Sequence, residues 1–65
     1  MKYRYQENQR VKVIFPPVHP YYDKIGTIVK INKKHIMMFY YVEFEDEKKH
    51  YFQEKELEVV ENKDL

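Results

Sequence analysis

Few side chains in this sequence are of types that perform covalent or acid–base chemistry. The three histidines, His19, His35 and His50, lie on separate segments without the spacing of a zinc site, and the chain has no cysteine. A histidine beside a carboxylate could transfer a proton, but the chain has no serine, and Thr27 is its one threonine. No glycine-rich loop could hold a phosphate, since Gly26 is the single glycine. We therefore predict a protein that is not an enzyme and that uses no metal ion or cofactor.

Aromatic side chains are the groups best placed to form a binding surface. Seven tyrosines and four phenylalanines are many for 65 residues, so some rings must stay at the surface of so small a protein. The candidates lie in a proline-containing segment and on the outer face of a sheet: Phe15, Tyr21, Tyr22, Phe39, Tyr41 and Tyr51. A shallow trough of such rings could stack bases, bind a proline-rich peptide or enclose a cation. The alternative is that Phe15 and one tyrosine close one end of the fold, while the other rings pair across strands.

Lysines supply the candidates for phosphate contacts. They cluster with one histidine near the middle of the chain, and two more precede them: Lys30, Lys33, Lys34 and His35, with Lys12 or Lys24. Ammonium groups beside exposed rings are typical of surfaces that bind nucleic acid. A basic turn can equally serve solubility alone, and that alternative stays open.

The charged residues divide unevenly along the chain, although the net charge is only +1. Residues 1–35 carry eight lysines or arginines and two acids, a net charge of +6, whereas residues 36–65 carry four lysines and nine acids, a net charge of −5. One interpretation is a basic face beside an acidic face. The other is that early strands pair with late strands, and that lysines meet glutamates across them: Lys12 and Lys30 with Glu43, Glu56 or Glu58. We favour the second interpretation, because opposite charges on adjacent strands usually solvate a sheet.

The elements that must position these residues are short strands. Alternation of apolar and polar residues predicts strands over residues 10–15, 25–32, 36–45, 49–53 and 57–60. An ordered loop holds the three prolines between the first two strands, and polar turns are predicted at 32–35 and 45–48. A 3₁₀ turn is predicted at 53–56. A helix over 53–64 is the alternative there, against which Val59 and Val60 favour a strand.

Gly26 marks the place where the backbone must bend, bulge or approach another backbone closely. Ile25, Ile28 and Ile31 cannot all follow strict alternation, which predicts a β-bulge in the second strand. The predicted interior combines these isoleucines with the apolar positions of the other strands: Val11, Val13, Ile25, Ile28, Ile31, Met38, Tyr40, Val42, Phe44, Phe52, Leu57 and Val59.

The length predicts one domain over residues 1–65, with an ordered core at about 9–60 and a loose carboxyl-terminal tail. The lack of cysteine favours a reducing compartment, and we predict a cytoplasmic protein. The amino terminus has no apolar run typical of a signal peptide, and no segment is long and apolar enough to span a bilayer.

Two segments resemble a known sequence motif. VKV at 11–13 followed by DKIGTIVKI at 23–31 resembles a KOW motif, in which a turn and a glycine precede a hydrophobic strand. YYVEF at 40–44 and LEV at 57–59 extend the likeness to the end of the last strand. Together with five strands and the 3₁₀ turn, the chain resembles an SH3-like barrel. This resemblance implies an all-β, five-stranded antiparallel barrel that binds RNA, nucleoprotein, peptides or other proteins.

Two functions follow from these observations as expectations. The first is an accessory or regulatory module that docks on another protein through the proline and aromatic loop, with no membrane contact. Two features favour docking on a protein over binding of nucleic acid. Asp23 stands where the KOW motif usually has an earlier glycine, and the loop contains prolines. The second is a KOW-like binder of RNA or DNA, with an exposed tyrosine for stacking and lysines for phosphates: Lys12, Lys30, Lys33 and Lys34.

Overall fold

Five antiparallel strands form one sheet in the computed structural model, which describes residues 5–34 and 36–60. In chain order they are β1 (Arg10–Val13), β2 (Ile25–Lys34), β3 (Met37–Glu43), β4 (Lys49–Phe52) and β5 (Leu57–Val59). A 3₁₀ turn, Glu54–Glu56, precedes β5, and the described residues contain no α-helix. The predicted all-β class, the five antiparallel strands and the 3₁₀ turn before the last strand are therefore confirmed.

The strands lie in the order β4-β3-β2-β1-β5 across the sheet. Within the described ranges, β4 pairs only with β3 and β5 pairs only with β1, so backbone hydrogen bonds do not close the sheet into a ring. The helix considered for 53–64 is replaced over 54–59 by the 3₁₀ turn and β5, and its last residues lie outside the description. No helix in the described part of the chain is long and apolar enough to cross a membrane.

The strand β2 is longer than its sequence indicates. Lys33 and Lys34 pair with Met38 and Met37 of β3, so the turn predicted at 32–35 is wrong for all but His35, which lies outside the described residues. The polar side chains at 32–35 predicted a turn, but pairing with β3 extends β2 beyond the part of the strand that covers the core. The first strand ends at Val13, two residues earlier than predicted, because the chain enters the loop there.

A β-bulge in β2 explains the irregular spacing of its isoleucines. The pairing with β3 shifts between Ile28 and Lys30, which leaves Val29 as an extra residue, and the predicted bulge is confirmed. Gly26 and Ile28 point inward before the bulge, and Ile31 packs against the core after it. Ile25 therefore points outward with 37% of its surface exposed, and its predicted place in the interior is wrong.

The core is built from side chains of every strand, from one residue before β1 and from one residue after β3. Eight predicted interior residues are buried, and Ile31, Met38 and Val59 pack partly buried against them. The buried residues are Tyr5, Val11, Val13, Ile28, Tyr40, Val42, Phe44, Phe52 and Leu57. Tyr5 is the one that the sequence did not indicate. Its hydroxyl donates a 2.9 Å hydrogen bond to the carbonyl of Leu57 and so fastens the amino-terminal segment to β5.

Tyr5 and Tyr40 provide a matched test of buried hydroxyl groups, because their rings meet edge to face with centroids 5.1 Å apart. The Tyr40 hydroxyl is buried without a hydrogen-bond partner among the described residues. We expect Tyr5→Phe to lower the free energy of unfolding by about 1 kcal/mol, since it deletes a buried hydrogen bond. Tyr40→Phe should instead raise it by about 1 kcal/mol, because an unsatisfied polar group is removed.

Thermal unfolding of the two variants separates these outcomes. A difference of about 2 kcal/mol between them corresponds to roughly 8–16 °C in Tm for a domain of this size. Equal losses in both variants would mean that the Tyr40 hydroxyl has a partner, such as a buried water molecule.

Candidate functional site

The loop between β1 and β2 is held by backbone hydrogen bonds despite its prolines. The N–H of Val13 donates to the carbonyl of Lys24 at 3.0 Å, and the N–H of Asp23 donates to the carbonyl of Val13 at 2.7 Å. Within the loop, the N–H of Tyr21 donates to Nδ1 of His19 at 2.9 Å. These hydrogen bonds fix the conformation of the loop.

The aromatic residues of this loop do not form one surface. The Tyr21 ring lies 4.4 Å from the Phe44 ring and 4.7 Å from the His50 ring, and Tyr21 packs partly buried against the core. Phe15 and Tyr22 stay exposed, with 53% and 41% of their surfaces accessible. The structure therefore assigns Tyr21 to packing, as the alternative interpretation proposed for one tyrosine. The same interpretation is wrong for Phe15, which stays at the surface with Tyr22.

The Tyr21 hydroxyl donates a hydrogen bond to Asp46, which lies in the turn between β3 and β4. This bond raises the pKa of Tyr21 above its ordinary value. The same bond lowers the pKa of Asp46, and the backbone N–H of Lys48, 2.9 Å from the carboxylate, lowers it further. The contact thus depends on an ionised Asp46 and a neutral Tyr21.

The hydrogen bond between Tyr21 and Asp46 should stabilise the protein at intermediate pH and lose its effect at acidic and at alkaline pH. Because the pKa of Asp46 is lowered by folding, its contribution is present above about pH 4 and is lost as the pH falls through the lowered value. Because the pKa of Tyr21 is raised, its contribution is present below about pH 10 and is lost as the pH rises further. Tyr21→Phe should therefore have a lower Tm than the wild type near neutral pH, and the difference should shrink at both extremes. A difference independent of pH would show that the hydrogen bond does not contribute.

The outer face of β2, β3 and β4 brings aromatic and basic residues together. Directly paired residues of antiparallel strands share a face. Lys30 pairs with Tyr41, which pairs in turn with Tyr51, and Asn32 pairs with Phe39. One step further, Lys34 pairs with Met37. We call this surface the lysine–aromatic face, and it comprises Lys30, Asn32, Lys34, Phe39, Tyr41 and Tyr51.

The rings of the lysine–aromatic face touch one another. Tyr41 and Tyr51 are stacked with centroids 4.3 Å apart and planes inclined by 23°, and Phe39 meets Tyr51 at 6.2 Å. Tyr51 remains 51% exposed, whereas Phe39 and Tyr41 are partly buried. Packing between the strands thus covers part of each ring, and Tyr51 is the most exposed of the three.

The charged groups of this face differ between its two ends. Glu43 pairs across the strands with Lys49, whose Nζ lies 3.8 Å from the carboxylate, at the end of the face nearest to Thr27. Lys30 lies opposite Tyr41 rather than opposite a glutamate, so the expected acidic partner of Lys30 is wrong. Neither Lys30 nor Lys34 forms an ion pair with another described residue.

The other predicted phosphate contacts lie elsewhere. Lys33 alternates with Lys30 and Lys34 and so points to the other side of β2. Lys12 pairs with Glu58 of β5, as the cross-strand interpretation predicted, and its Nζ lies 3.6 Å from Asp23. Lys24 precedes β2, at the end of this strand remote from Lys34. Of the four lysines proposed for nucleic acid, the structure places Lys30 and Lys34 on the face that carries the rings.

Asn32 is a member of the face that sequence reasoning missed. The polar residues at 32–35 predicted a turn that begins at Asn32. If the strand continues, however, Lys30, Asn32 and Lys34 are spaced two residues apart and share one face. Asn32, Lys34, Phe39 and Tyr51 line a shallow depression of about 380 Å³.

Two histidines that are remote in sequence come together. The rings of His19 and His50 lie 5.7 Å apart, and the His19 ring also lies 4.9 Å from Phe52. No group of three or more potential metal ligands occurs among the described residues. The pair belongs to the packing between the loop and β4.

Comparisons with protein families, curated proteins and solved structures give no match to this chain.

Proposed function

We propose that this chain is a non-catalytic module that binds single-stranded nucleic acid through the lysine–aromatic face. The observation that carries the proposal is the register that sets Lys30 beside the stacked pair of Tyr41 and Tyr51. Exposed rings stack on bases of any sequence, and lysines beside them neutralise phosphates. Bases in a duplex have no free faces for such stacking, so a single strand is the better ligand.

The fold agrees with this proposal. Five antiparallel strands with a 3₁₀ turn before the last one are the arrangement expected of an SH3-like barrel, and the position of Gly26 resembles that in a KOW motif. We propose that the chain is a divergent member of this group. The lack of cysteine also supports a reducing, cytoplasmic setting.

A titration at several salt concentrations tests the proposed function. Fluorescence anisotropy with a labelled single strand should show binding at low salt, and log K should fall with log salt with a slope of about −1.4 for two phosphate contacts. The matching duplex should bind more weakly. Absence of binding at low salt, or binding without a salt dependence, would exclude the proposal.

Docking on another protein through the β1–β2 loop is a second candidate function. It is supported by Phe15, Val18 and Tyr22, which stay exposed on a loop fixed by its backbone hydrogen bonds. Rigid aromatic side chains of this kind form protein interfaces at low entropic cost. Pull-down after nuclease treatment, with wild type and a Phe15→Ala, Tyr22→Ala variant, tests it: partners that persist after nuclease and are lost in the variant support docking.

A further inference from the structure

The turn between β2 and β3 carries apolar side chains in water. Ile36 is 92% exposed, more than any other large apolar side chain that the structure describes, and Met37 beside it is 43% exposed. Both line a shallow depression of about 330 Å³, to which Glu54 and Lys55 contribute charges of opposite sign. We call this end of the hairpin the hairpin tip, and it comprises Lys33, Lys34, Ile36, Met37 and Met38. Its apolar side chains gain free energy when an apolar phase covers them.

Lysines lie on both sides of the hairpin tip. Lys34 pairs with Met37 on the side of the lysine–aromatic face. Lys33 pairs with Met38 and points to the other side of β2. Both lysines are exposed, and neither forms an ion pair with another described residue. The apolar end of the hairpin is therefore followed by positive charge on each side.

The hairpin tip extends beyond the core. Ile31 is the last residue of β2 that packs against the core, and the residues from Asn32 to Lys34 are exposed. Three residues of a strand span about 10 Å. Amphipathic segments at a membrane surface bury their apolar side about 5–10 Å into the boundary between headgroups and acyl chains. The length of the tip therefore matches the depth of that layer.

We propose that the hairpin tip inserts into the surface of an anionic lipid bilayer. Ile36 and Met37 enter the apolar boundary, while Lys33 and Lys34 contact the phosphate and carboxylate groups of the lipid heads. Apolar burial and attraction to anionic lipids add in such binding, so the two kinds of residue act together. A membrane partner goes beyond the proposed function, and it departs from the expectation, based on the sequence, of no membrane contact.

A bilayer suits the hairpin tip better than a nucleic acid or a protein groove does. The tip has no aromatic ring, so a base has nothing to stack on there. A groove deep enough to cover Ile36 would also remove water from Lys33 and Lys34, which is costly for each ammonium group that meets no carboxylate. At a bilayer, the apolar side chain is buried while the lysines keep their ammonium groups among the hydrated lipid heads.

Co-sedimentation with lipid vesicles tests the inference. The wild type should bind vesicles of equal parts phosphatidylcholine and phosphatidylserine at least about ten-fold more tightly than vesicles of phosphatidylcholine alone, because each lysine near an anionic surface changes the affinity about five-fold. Ile36→Ser should weaken binding to the mixed vesicles by roughly ten-fold, since it removes a large apolar side chain from the interface. Val18→Ser is the matched control and should bind like the wild type. Val18 is 88% exposed, but it lies in the β1–β2 loop, where residues 14–22 contain no lysine.

Lys33→Ala separates this inference from the proposed function. It should weaken binding to the mixed vesicles about five-fold and leave binding to single-stranded nucleic acid unchanged, because Lys33 points away from the lysine–aromatic face. No binding to the mixed vesicles, or equal binding to both kinds of vesicle, would overturn the inference and leave the nucleic-acid proposal intact. Equal losses in Ile36→Ser and Val18→Ser would also overturn it. Because Ile36 is almost fully exposed, Ile36→Ser should keep the Tm of the wild type, so its loss of binding reports the membrane contact itself.

Discussion

Replacing Gly26 by alanine is expected to lower the free energy of unfolding by at least about 2 kcal/mol, at the upper side of the usual cost of overpacking. A Cβ atom at this position would lie 2.6 Å from Cγ1 of Val42, 2.7 Å from the carbonyl oxygen of Glu43 and 3.0 Å from Cδ1 of Phe44. Val42 is completely buried, and the Glu43 oxygen belongs to the backbone of β3, which pairs with strands on both sides. None of these atoms can move without disturbing the core or the sheet.

Thermal or urea unfolding measures this effect, and a loss of 2 kcal/mol lowers Tm by roughly 8–16 °C in a domain of this size. Thr27→Ala is the matched control, because it alters the next residue of β2, which points to the outer face. Its cost should stay below about 1 kcal/mol, the range of strand propensities. A Gly26→Ala variant as stable as this control would contradict the close approach of β2 to β3 at Gly26.

Much of the fold could be predicted because its signals are local. Along β3 and the residue that follows it, Tyr40, Val42 and Phe44 alternate with Phe39, Tyr41 and Glu43, and a strand with one face on a core requires this period of two. The role of Gly26 in a close approach was also predictable, since the only residue without a side chain sits among β-branched residues.

The errors arose where distant parts of the chain decide the structure. Ile25 has the same local appearance as Ile28, but the inward direction of Gly26 turns it outward. Lys33 and Lys34 look like a turn until they are paired with Met38 and Met37. Tyr5 is buried against residues such as Leu57 of β5, 52 positions away, which no local pattern indicates.

The candidate site was predictable as a set of residues but not as a surface. The nucleic-acid hypothesis joined the lysines to an exposed tyrosine without saying which one, and the register of β2, β3 and β4 shows which rings and which lysines share a face. The same register moves Lys33 to the other side of the strand. Register depends on the position of the bulge and on the turn lengths, and the sequence predicted that β2 has a bulge without placing it at Val29.

Removing the stacked pair should cause the largest loss of binding. A Tyr41→Ala, Tyr51→Ala variant is expected to bind single strands about ten-fold or more weakly, since stacking of a base on an aromatic ring contributes about 1–3 kcal/mol. Its salt dependence should stay close to that of the wild type, because the lysines are retained. A Lys30→Ala, Lys34→Ala variant should show the reverse, with a slope nearer to zero. Anisotropy titrations of both variants over the same salt range measure the two effects separately.

The control must distinguish stacking from the stability that the ring pair gives to the sheet. Loss of an aromatic pair destabilises by about 0.5–1.5 kcal/mol, so binding is measured well below the unfolding temperature of each variant. Tyr51→Phe keeps a ring for stacking and should bind like the wild type. Phe15→Ala, Tyr22→Ala removes two exposed rings from the loop and should leave affinity unchanged. If this loop variant loses binding while the Tyr41→Ala, Tyr51→Ala variant keeps it, bases bind at the loop, and the lysine–aromatic face serves only the packing of the sheet.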